Sequence, residues 1–328
     1  MKRRNFSVGL GAACSPLFLR AQQSPQPRQI GLILGFPKVD PQTPTNLAAL
    51  YEGLKSVGLE EGRNIKLVDR WPGIDPEMTR VFVKELIALK PDVIVASTNQ
   101  VVSSLMQETQ TIPIVFVFVG DPVGSRYAET LARPGKNITG FANFEAPVGG
   151  KWLELLKELA PQTKRVGYFY HPAASPQLEF LDVIRKTAPS FGLELNAIPV
   201  TSRAEIERDM VAFGAAGPAR GIVVAPHALT LGASGLIVEL ASRYRLPGVY
   251  GDRTFSRRGG VQSFGINPSE QLRRAGSYVR RIFDGEKPGN LPIQLPLKYE
   301  MVINLKTAKT FGLPVPPGLL ARADELIE

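Results

Sequence analysis

Nine residues of this 328-residue chain have side chains suited to holding a small molecule, and all stand just after stretches with strand character. Aromatic rings stack on flat groups, hydroxyls and amides form hydrogen bonds, and carboxylate, imidazole and guanidinium groups recognise charged or polar atoms. These residues are Phe36, Ser97, Thr98, Asn99, Asp121, His171, His227, Asp252 and Arg253. We predict that they form a ligand-binding site.

Most of these residues also have a purely structural interpretation. Ser97–Asn99 and Asp121 are of residue types that cap helices, and a capping residue can contact a ligand as well. Asp252 and Arg253 could form an internal salt bridge with each other. The sequence leaves both interpretations open.

The two histidines, His171 and His227, are the only ones in the chain. A ligand contact or a structural role is favoured over metal binding, because no third ligand stands at a helical spacing from either. No Walker loop, nucleophile elbow or H-E-x-x-H motif occurs, and the G-x-G at Gly9–Gly11 follows no strand. The sequence therefore predicts no metal, no cofactor and no catalytic residue.

The strongest strand signal is the apolar run at residues 112–119, IPIVFVFV, which Gly120, Asp121 and Pro122 end. A run without polar alternation is typical of a strand buried on both faces. Asp121 could cap a following helix, with Pro122 in its first turn. Ligands of open parallel sheets bind beyond the carboxyl ends of the strands, so Asp121 falls where a binding loop is expected.

Apolar runs alternate with amphipathic segments on both sides of this strand, which predicts an α/β fold class with parallel sheets. The pattern restarts near residue 149 without repeated residues and predicts two Rossmann-like lobes. In the first lobe we predict strands at 30–34, 64–70 (an edge), 93–96, 112–119 and 138–141, and helices at 41–57, 75–89 and 100–109. In the second we predict strands at 165–170, 193–200, 221–225, 247–250 and 261–266, and helices at 149–159, 177–191, 204–213 and 234–244.

The last elements do not continue the repeat. A helix at 268–283, a proline-rich segment at 288–296, a strand at 298–303 and a helical end suggest that the chain crosses back and returns, forming a three-crossing hinge. We predict a first lobe of residues 28–138 plus 267–296 and a second of 139–266 plus 297–328. Two facing sheet edges would then line one cleft from both sides.

Residues 1–21 are predicted to be a cleaved signal peptide, with a basic start at Lys2–Arg4, an apolar or small stretch, and Ala21 at the cleavage point. This predicts a periplasmic protein, with Sec and twin-arginine export both open. A lipoprotein attached through Cys14 is less favoured, because Gly11 stands where leucine is usual. Cys14 is the only cysteine, so the mature chain would have no disulfide.

The formal net charge of +9 falls to +5 once the four basic residues of the predicted signal peptide are removed. The remaining charge is spread along the chain rather than clustered among aromatic residues, which argues against a nucleic-acid partner. The composition, with 44% hydrophobic and 21% charged residues, is typical of a globular protein.

Five segments resemble the ABC-transporter substrate-binding protein family that includes tryptophan-binding members. They are PIVFVFVGDPVG at 113–124, LARPGKNITGF at 131–141, KWLELLKELAP at 151–161, INLKTAKTFGL at 303–313 and LLARADELIE at 319–328. The resemblance implies a type I periplasmic-binding-protein fold, a ligand trapped between two closing lobes, export, and a membrane permease as partner. By position, it implies ligand contacts at Ser97–Thr98, Gly120–Asp121, His171, His227 and Asp252.

We therefore predict the monomeric solute-binding component of an ABC importer, with no enzymatic activity. Its ligand would be small and polar or carboxylate-bearing, an amino acid or aromatic molecule included, and would be held by Ser97, Thr98 and the adjacent backbone N–H groups. A ring could stack on Phe36, as could the apolar face of a sugar, so the ligand class stays open. A ligand contact by His227 would make affinity change around pH 6–7.

The alternatives are a ligand-sensing receptor module on the same fold and, less favoured, a nucleotide-sugar enzyme. The first would need a DNA-binding or signalling segment, and the second a nucleotide-binding loop or an acid–base pair. None of these features is found in the sequence.

Overall fold

The computed structural model describes residues 26–36, 38, 43–73, 75–143 and 145–328. The predicted signal peptide, including Cys14, lies outside the described residues. Among the helices of the described part, none is both long and apolar enough to cross a bilayer.

The first lobe is a five-stranded sheet, entirely parallel, with the strand order β2-β1-β3-β4-β5. Its strands are β1 Arg28–Ile33, β2 Ile65–Arg70, β3 Val93–Ser97, β4 Ile114–Val119 and β5 Ile138–Ala142. Its connecting helices are α1 Thr43–Ser56, α2 Pro76–Ala88 and α3 Asn99–Glu108. The strand β2 forms the edge, as its alternating sequence predicts.

The second lobe is a seven-stranded sheet with the order β12-β11-β10-β9-β8-β6-β7, parallel except where β11 pairs antiparallel with β10. Its strands are β6 Arg165–Tyr170, β7 Glu194–Pro199, β8 Arg220–Val224, β9 Gly248–Tyr250, β10 Gln262–Ile266, β11 Tyr299–Asn304 and β12 Glu325–Ile327. Its helices are α4 Val148–Leu159, α5 Ser175–Thr187, α6 Arg203–Ala215, α7 Ala228–Gly232, α8 Ser234–Arg243 and α9 Arg253–Arg257. The chain continues through α10 Pro268–Phe283, α11 Leu305–Phe311 and α12 Pro317–Arg322, with 3-10 turns at Ala188–Phe191 and Pro288–Asn290.

The strand β4 is buried on both faces, as its apolar run predicts. Val115 and Val117 belong to the apolar layer that includes residues of α1 and α10, whereas Ile114 and Phe116 belong to the layer that includes residues of α2 and α3. Helices therefore cover both faces of the sheet, and its binding loops are confined to the strand ends.

The chain passes between the lobes three times: after β5, after β10, and between Gln294 and β11. The helix α10 packs on α1 at Gly53 and Gly276, where a Cβ on either glycine would overlap the backbone of the other helix. Gln294 stays with the first lobe because its N–H donates to the carbonyl of Gly140 at 2.9 Å. This arrangement confirms the predicted fold class of two Rossmann-like lobes joined by a three-crossing hinge.

The first predicted boundary, after residue 138, is wrong by four residues. The strand β5 pairs with β4 as far as Ala142 and so completes the first sheet rather than opening the second lobe. The sequence favoured an earlier boundary because the pattern of strand and helix restarts just beyond this strand.

Several local predictions also need correction. No helix follows Pro122; the chain makes turns there, and Asp121 has a φ of 42°. The predicted helix at 177–191 divides at Ala188, where a 3-10 turn begins. The helices α7 and α9, of five residues each, and the three-residue strand β12 were not predicted, because such short elements show no periodicity.

Candidate ligand-binding site

A bulge at the end of β4 shapes the first lobe's binding edge. The register with β5 shifts between Phe116 and Val119, and Phe118 has a φ of 57°. The buried amide of Gln271, on α10, holds this shape: it accepts from the Phe118 N–H at 3.0 Å and donates to the Ala142 carbonyl at 2.8 Å. A bulge re-aims side chains, and here it leaves the Phe118 ring half-buried near the strand end.

Three half-buried rings, Phe36, Trp71 and Phe118, meet at this edge, and we call them the aromatic cluster. The centroid of the Phe36 ring lies 5.6 Å from that of Trp71, edge to face, and 6.2 Å from that of Phe118. The Trp71 indole N–H donates to the carboxylate of Asp69, which also pairs with Lys38 at 3.0 Å. The cluster is thus a partly open apolar surface held in place at its rim.

Only Phe36 was predicted from this cluster. Trp71 is the first residue after β2, so the rule applied to the other strand ends would have found it. Phe118 carried no such signal, because it lies inside an apolar run that predicts full burial.

Ser97 and Asn99 join three loops of the first lobe to one another. The Ser97 hydroxyl is fully buried and accepts from the Gly35 N–H at 2.9 Å. The Asn99 amide clasps Gly120, donating to its carbonyl at 2.8 Å and accepting from its N–H at 3.0 Å. Both side chains therefore position the binding loops, and a direct contact with a ligand stays a prediction for each.

Thr98, between them, caps α3 in an unusual backbone conformation. Its φ of 72° and ψ of 150° lie in a region that side chains rarely adopt, while its hydroxyl accepts from the Val101 N–H at 3.5 Å. Backbone strain of this kind concentrates at ligand-binding positions. The first N–H groups of α3 have no partner within the helix and point toward this edge.

Asp121 lies where the two lobes touch. Its Oδ1 accepts from the Gly124 N–H at 2.7 Å, and its Oδ2 lies 3.4 Å from the Ser175 hydroxyl of α5. The neighbouring Gly120 packs so closely on Pro176 that a Cβ there would lie 2.5 Å from the proline Cγ. The binding edge of the first sheet therefore faces the loop that follows β6 in the second.

The two histidines stack on each other in the second lobe, with ring centroids 4.6 Å apart. The Nδ1 of His171 accepts from the Ala173 N–H at 3.3 Å, and that of His227 accepts from the Leu229 N–H at 3.2 Å while capping α7. Burial, reinforced by the adjacent His171 ring, lowers the pKa of His227 to about 4. The affinity change predicted for His227 around pH 6–7 is therefore wrong, because this ring stays neutral there, with its proton on Nε2.

Asp252 and Arg253 do not pair with each other. Asp252 caps α9 by accepting from the Thr254 N–H at 2.8 Å. The Arg253 guanidinium contacts Glu300 of β11 at 3.0 Å and Glu325 of β12 at 2.6 Å. Arg253 is thus engaged in tying the last two strands together, and a ligand contact stays a prediction for both residues.

The described residues include no group of three or more histidine, cysteine, aspartate or glutamate side chains that could hold a metal ion. The chemistry assembled at the two facing edges is instead that of recognition: a partly open aromatic surface, a helix N-terminus, and imidazole and carboxyl groups.

The chain folds into two α/β lobes that are joined by three chain crossings and have facing binding edges. These features define a two-lobed binding protein of the type I periplasmic class. The chain matches the family described as ABC transporter substrate binding protein over residues 41–327 and belongs to that family. The resemblance seen in the sequence is confirmed. The family consists of substrate-binding proteins rather than enzymes, so the chain is a binding protein for a small-molecule substrate.

Three known proteins are similar to this chain. A tyrosine-binding protein of Clostridioides difficile (strain R20291) is 22% identical over 262 residues, which cover 80% of this chain and 75% of that protein. The structure of a conserved domain protein from Vibrio cholerae superposes with a TM-score of 0.84 at 25% identity, covering 92% of this chain and 100% of the other. The ABC domain in complex with L-Trp from Streptococcus pneumoniae superposes with a TM-score of 0.85 at 21% identity, with the same coverage.

Proposed function

We propose that this protein is the extracytoplasmic solute-binding component of an ABC importer and that its ligand is an aromatic amino acid or a closely related aromatic carboxylate. The observation that supports this ligand class is the aromatic cluster, which lies at the same sheet edge as the N-terminus of α3. A flat apolar surface beside a set of backbone N–H donors suits a molecule with a ring at one end and a carboxylate at the other.

In this proposal the ligand's ring lies against Phe36, with Trp71 and Phe118 fixing the orientation of that surface. Its carboxylate lies at the N-terminus of α3 beside Thr98, where the helix dipole favours negative charge. The rings of His171 and His227 offer N–H donors from the opposite lobe. The known ligands of two similar proteins, tyrosine and L-Trp, support the same class.

Transport would follow from closure of the two lobes. A ligand that contacts both edges binds the closed form more tightly than the open form and so shifts the population toward it. The closed form presents one joint surface of both lobes, which we propose a membrane permease recognises. We further propose that residues 1–21 direct export to the periplasm, and that the protein acts as a monomer without nucleic acid.

A thermal-shift screen tests the ligand class. We expect L-tryptophan, L-tyrosine or L-phenylalanine to raise the melting temperature, since a ligand at 100 times its Kd adds about 2.7 kcal/mol to the free energy of unfolding. L-leucine is the matched control, because it has the same backbone groups and no ring. Stabilisation by D-glucose or another sugar, with none by the aromatic amino acids, would contradict the proposal.

A further inference from the structure

One buried side chain of the second lobe bonds to both of the loops that carry the histidines. The amide of Gln177, in the first turn of α5, accepts from the His171 N–H in the loop after β6. It also donates to the Pro226 carbonyl in the loop after β8 at 3.0 Å. Gln177 is only 2% exposed, so both hydrogen bonds are shielded from water.

An amide is suited to this position because it carries a donor and an acceptor on separate atoms. A carboxylate can only accept a hydrogen bond, and an ammonium group can only donate one. The Pro226 carbonyl needs a donor, whereas the His171 N–H needs an acceptor, and these needs fix the direction in which the Gln177 amide points. The backbone of Gln177 is anchored as well, since its carbonyl accepts from the buried Tyr168 hydroxyl of β6 at 3.0 Å.

The two loops in turn hold the stacked rings. The Nδ1 of each histidine accepts from a backbone N–H two residues further along its own loop, and the two ring planes are inclined by 21°. Each ring is thus fixed relative to its loop, and Gln177 joins the two loops to each other. Gln177 also follows Pro176, which packs on Gly120 of the first lobe. The histidine pair is therefore held from the point where the lobes touch.

We propose that Gln177 is a positioning residue of the ligand-binding site: by bonding to both histidine loops, it aligns the rings of His171 and His227 as one pair of N–H donors. In this role Gln177 acts on the ligand through the histidines and does not contact it. Loss of either hydrogen bond leaves a buried backbone group without a partner, and the loop that carries this group moves to regain one. The inference rests on the proposed capture of a ligand between the lobes, but not on the chemical class of that ligand.

Nuclear magnetic resonance of the ligand-free protein, labelled with carbon-13 at the histidine Cε1 atoms, tests the alignment. The chain has only two histidines and so gives two ring signals, which a His171→Asn variant assigns by removing one of them. We expect Gln177→Met, which has a similar length and no amide, to shift both signals toward those of histidine in an unfolded chain. Gln177→Asn keeps an amide that is one methylene too short to reach both loops, and it should shift at least one signal.

Gln262→Met is the matched control. Gln262 is also a fully buried glutamine of the second lobe, and its amide donates to the Met301 sulfur at 3.0 Å. It begins β10, whereas the histidine loops follow the ends of strands that run in the same direction, so its substitution should leave both ring signals unshifted. Unshifted signals in a folded Gln177→Met protein would overturn the proposal, and so would equal shifts caused by Gln262→Met. If Gln177→Met does not fold, the same signals in Gln177→Asn decide.

Calorimetric titration with L-tryptophan measures the effect on binding. We expect Gln177→Met to bind about tenfold more weakly than the wild type, the equivalent of one lost hydrogen bond, and Gln262→Met to bind like the wild type. Unchanged affinity in a protein whose histidine rings are displaced would overturn the role of Gln177 in the site. If the wild type binds no aromatic amino acid, the proposed ligand class fails, and the ring signals still decide whether Gln177 positions the histidines.

Discussion

His227 shows how one side chain's surroundings decide its chemistry. As one of only two histidines, both at strand ends, it suggested a group that titrates near neutral pH. In the structure its ring stacks on that of His171, and its Nδ1 accepts a hydrogen bond from a backbone N–H of α7. Packing between residues 56 positions apart lowers its pKa, and no sequence pattern within either loop reveals that.

The loss of stability at acid pH should reveal that the His227 ring is buried and neutral. The pKa of His227 is lowered to about 4 in the folded protein, against about 6.5 when unfolded. Its contribution is therefore fully present above pH 6.5 and is lost as pH falls toward 4, a loss of about 3 kcal/mol in the free energy of unfolding. We expect His227→Asn, which keeps a capping oxygen, to lose less stability than the wild type over this range.

Urea unfolding at pH 7.5, 5.5 and 4 measures the effect. Subtracting the variant's free energy of unfolding from that of the wild type at each pH cancels the contributions of all other titrating groups. Parallel pH profiles for the two proteins would show that His227 is not the neutral, buried ring described above.

The N-terminus of α3 is the element on which the ligand's carboxylate is proposed to lie. Its cap, Thr98, holds a φ of 72°, whereas Ser202 caps α6 with an ordinary φ of −143°. A side chain in the former region costs on the order of 1–3 kcal/mol, and glycine adopts it freely.

We expect Thr98→Gly to raise the free energy of unfolding by about 1 kcal/mol, because relief of strain outweighs the loss of a long 3.5 Å capping bond. The control, Ser202→Gly, should instead lower it by a few tenths of a kcal/mol. Chemical denaturation compares the two variants. Equal destabilisation by both substitutions would mean that the backbone at Thr98 is unstrained.

The order and type of the longer elements could be predicted because each carries its own signal. The run at 112–119 indicates burial on both faces, and Asp75 followed by Pro76 marks the start of α2, where the Asp75 carboxylate accepts from the Glu77 N–H at 2.8 Å. The bulge at Phe118 could not be predicted, since it depends on Gln271, which lies 153 positions away.

The strand-end rule placed the predicted residues at or just after the carboxyl ends of strands, but it could not distinguish side chains that hold the loops from side chains that could contact a ligand. Ser97 and Asn99 bond to neighbouring loops, and Arg253 bonds to β11 and β12. These partners come from segments that meet only in the folded chain, so the local sequence looks the same for a positioning residue as for a ligand contact.

At the scale of the whole molecule, an ion pair and a hydrogen bond connect the hinge with a strand-end residue of the predicted site. Glu300, which pairs with Arg253, also accepts from the Asn267 amide at 2.8 Å, and Asn267 caps α10 at the second crossing. The strands next to the hinge are thus bonded to the start of the helix that returns to the first lobe. Asp121 and Ser175 join the lobes at a second place, outside this region.

Calorimetric titration with L-tryptophan tests the central claim most directly, namely that an aromatic ligand binds at the aromatic cluster between the lobes. We expect the wild type to bind, Phe36→Ala to bind about tenfold more weakly or less through the loss of one ring contact, and Tyr51→Ala to bind like the wild type. Tyr51 is the control because it is an exposed aromatic residue on α1, outside the strand-end loops. Equal affinity of the wild type and Phe36→Ala would contradict the claim, as would the absence of binding by the wild type to L-tryptophan, L-tyrosine and L-phenylalanine alike.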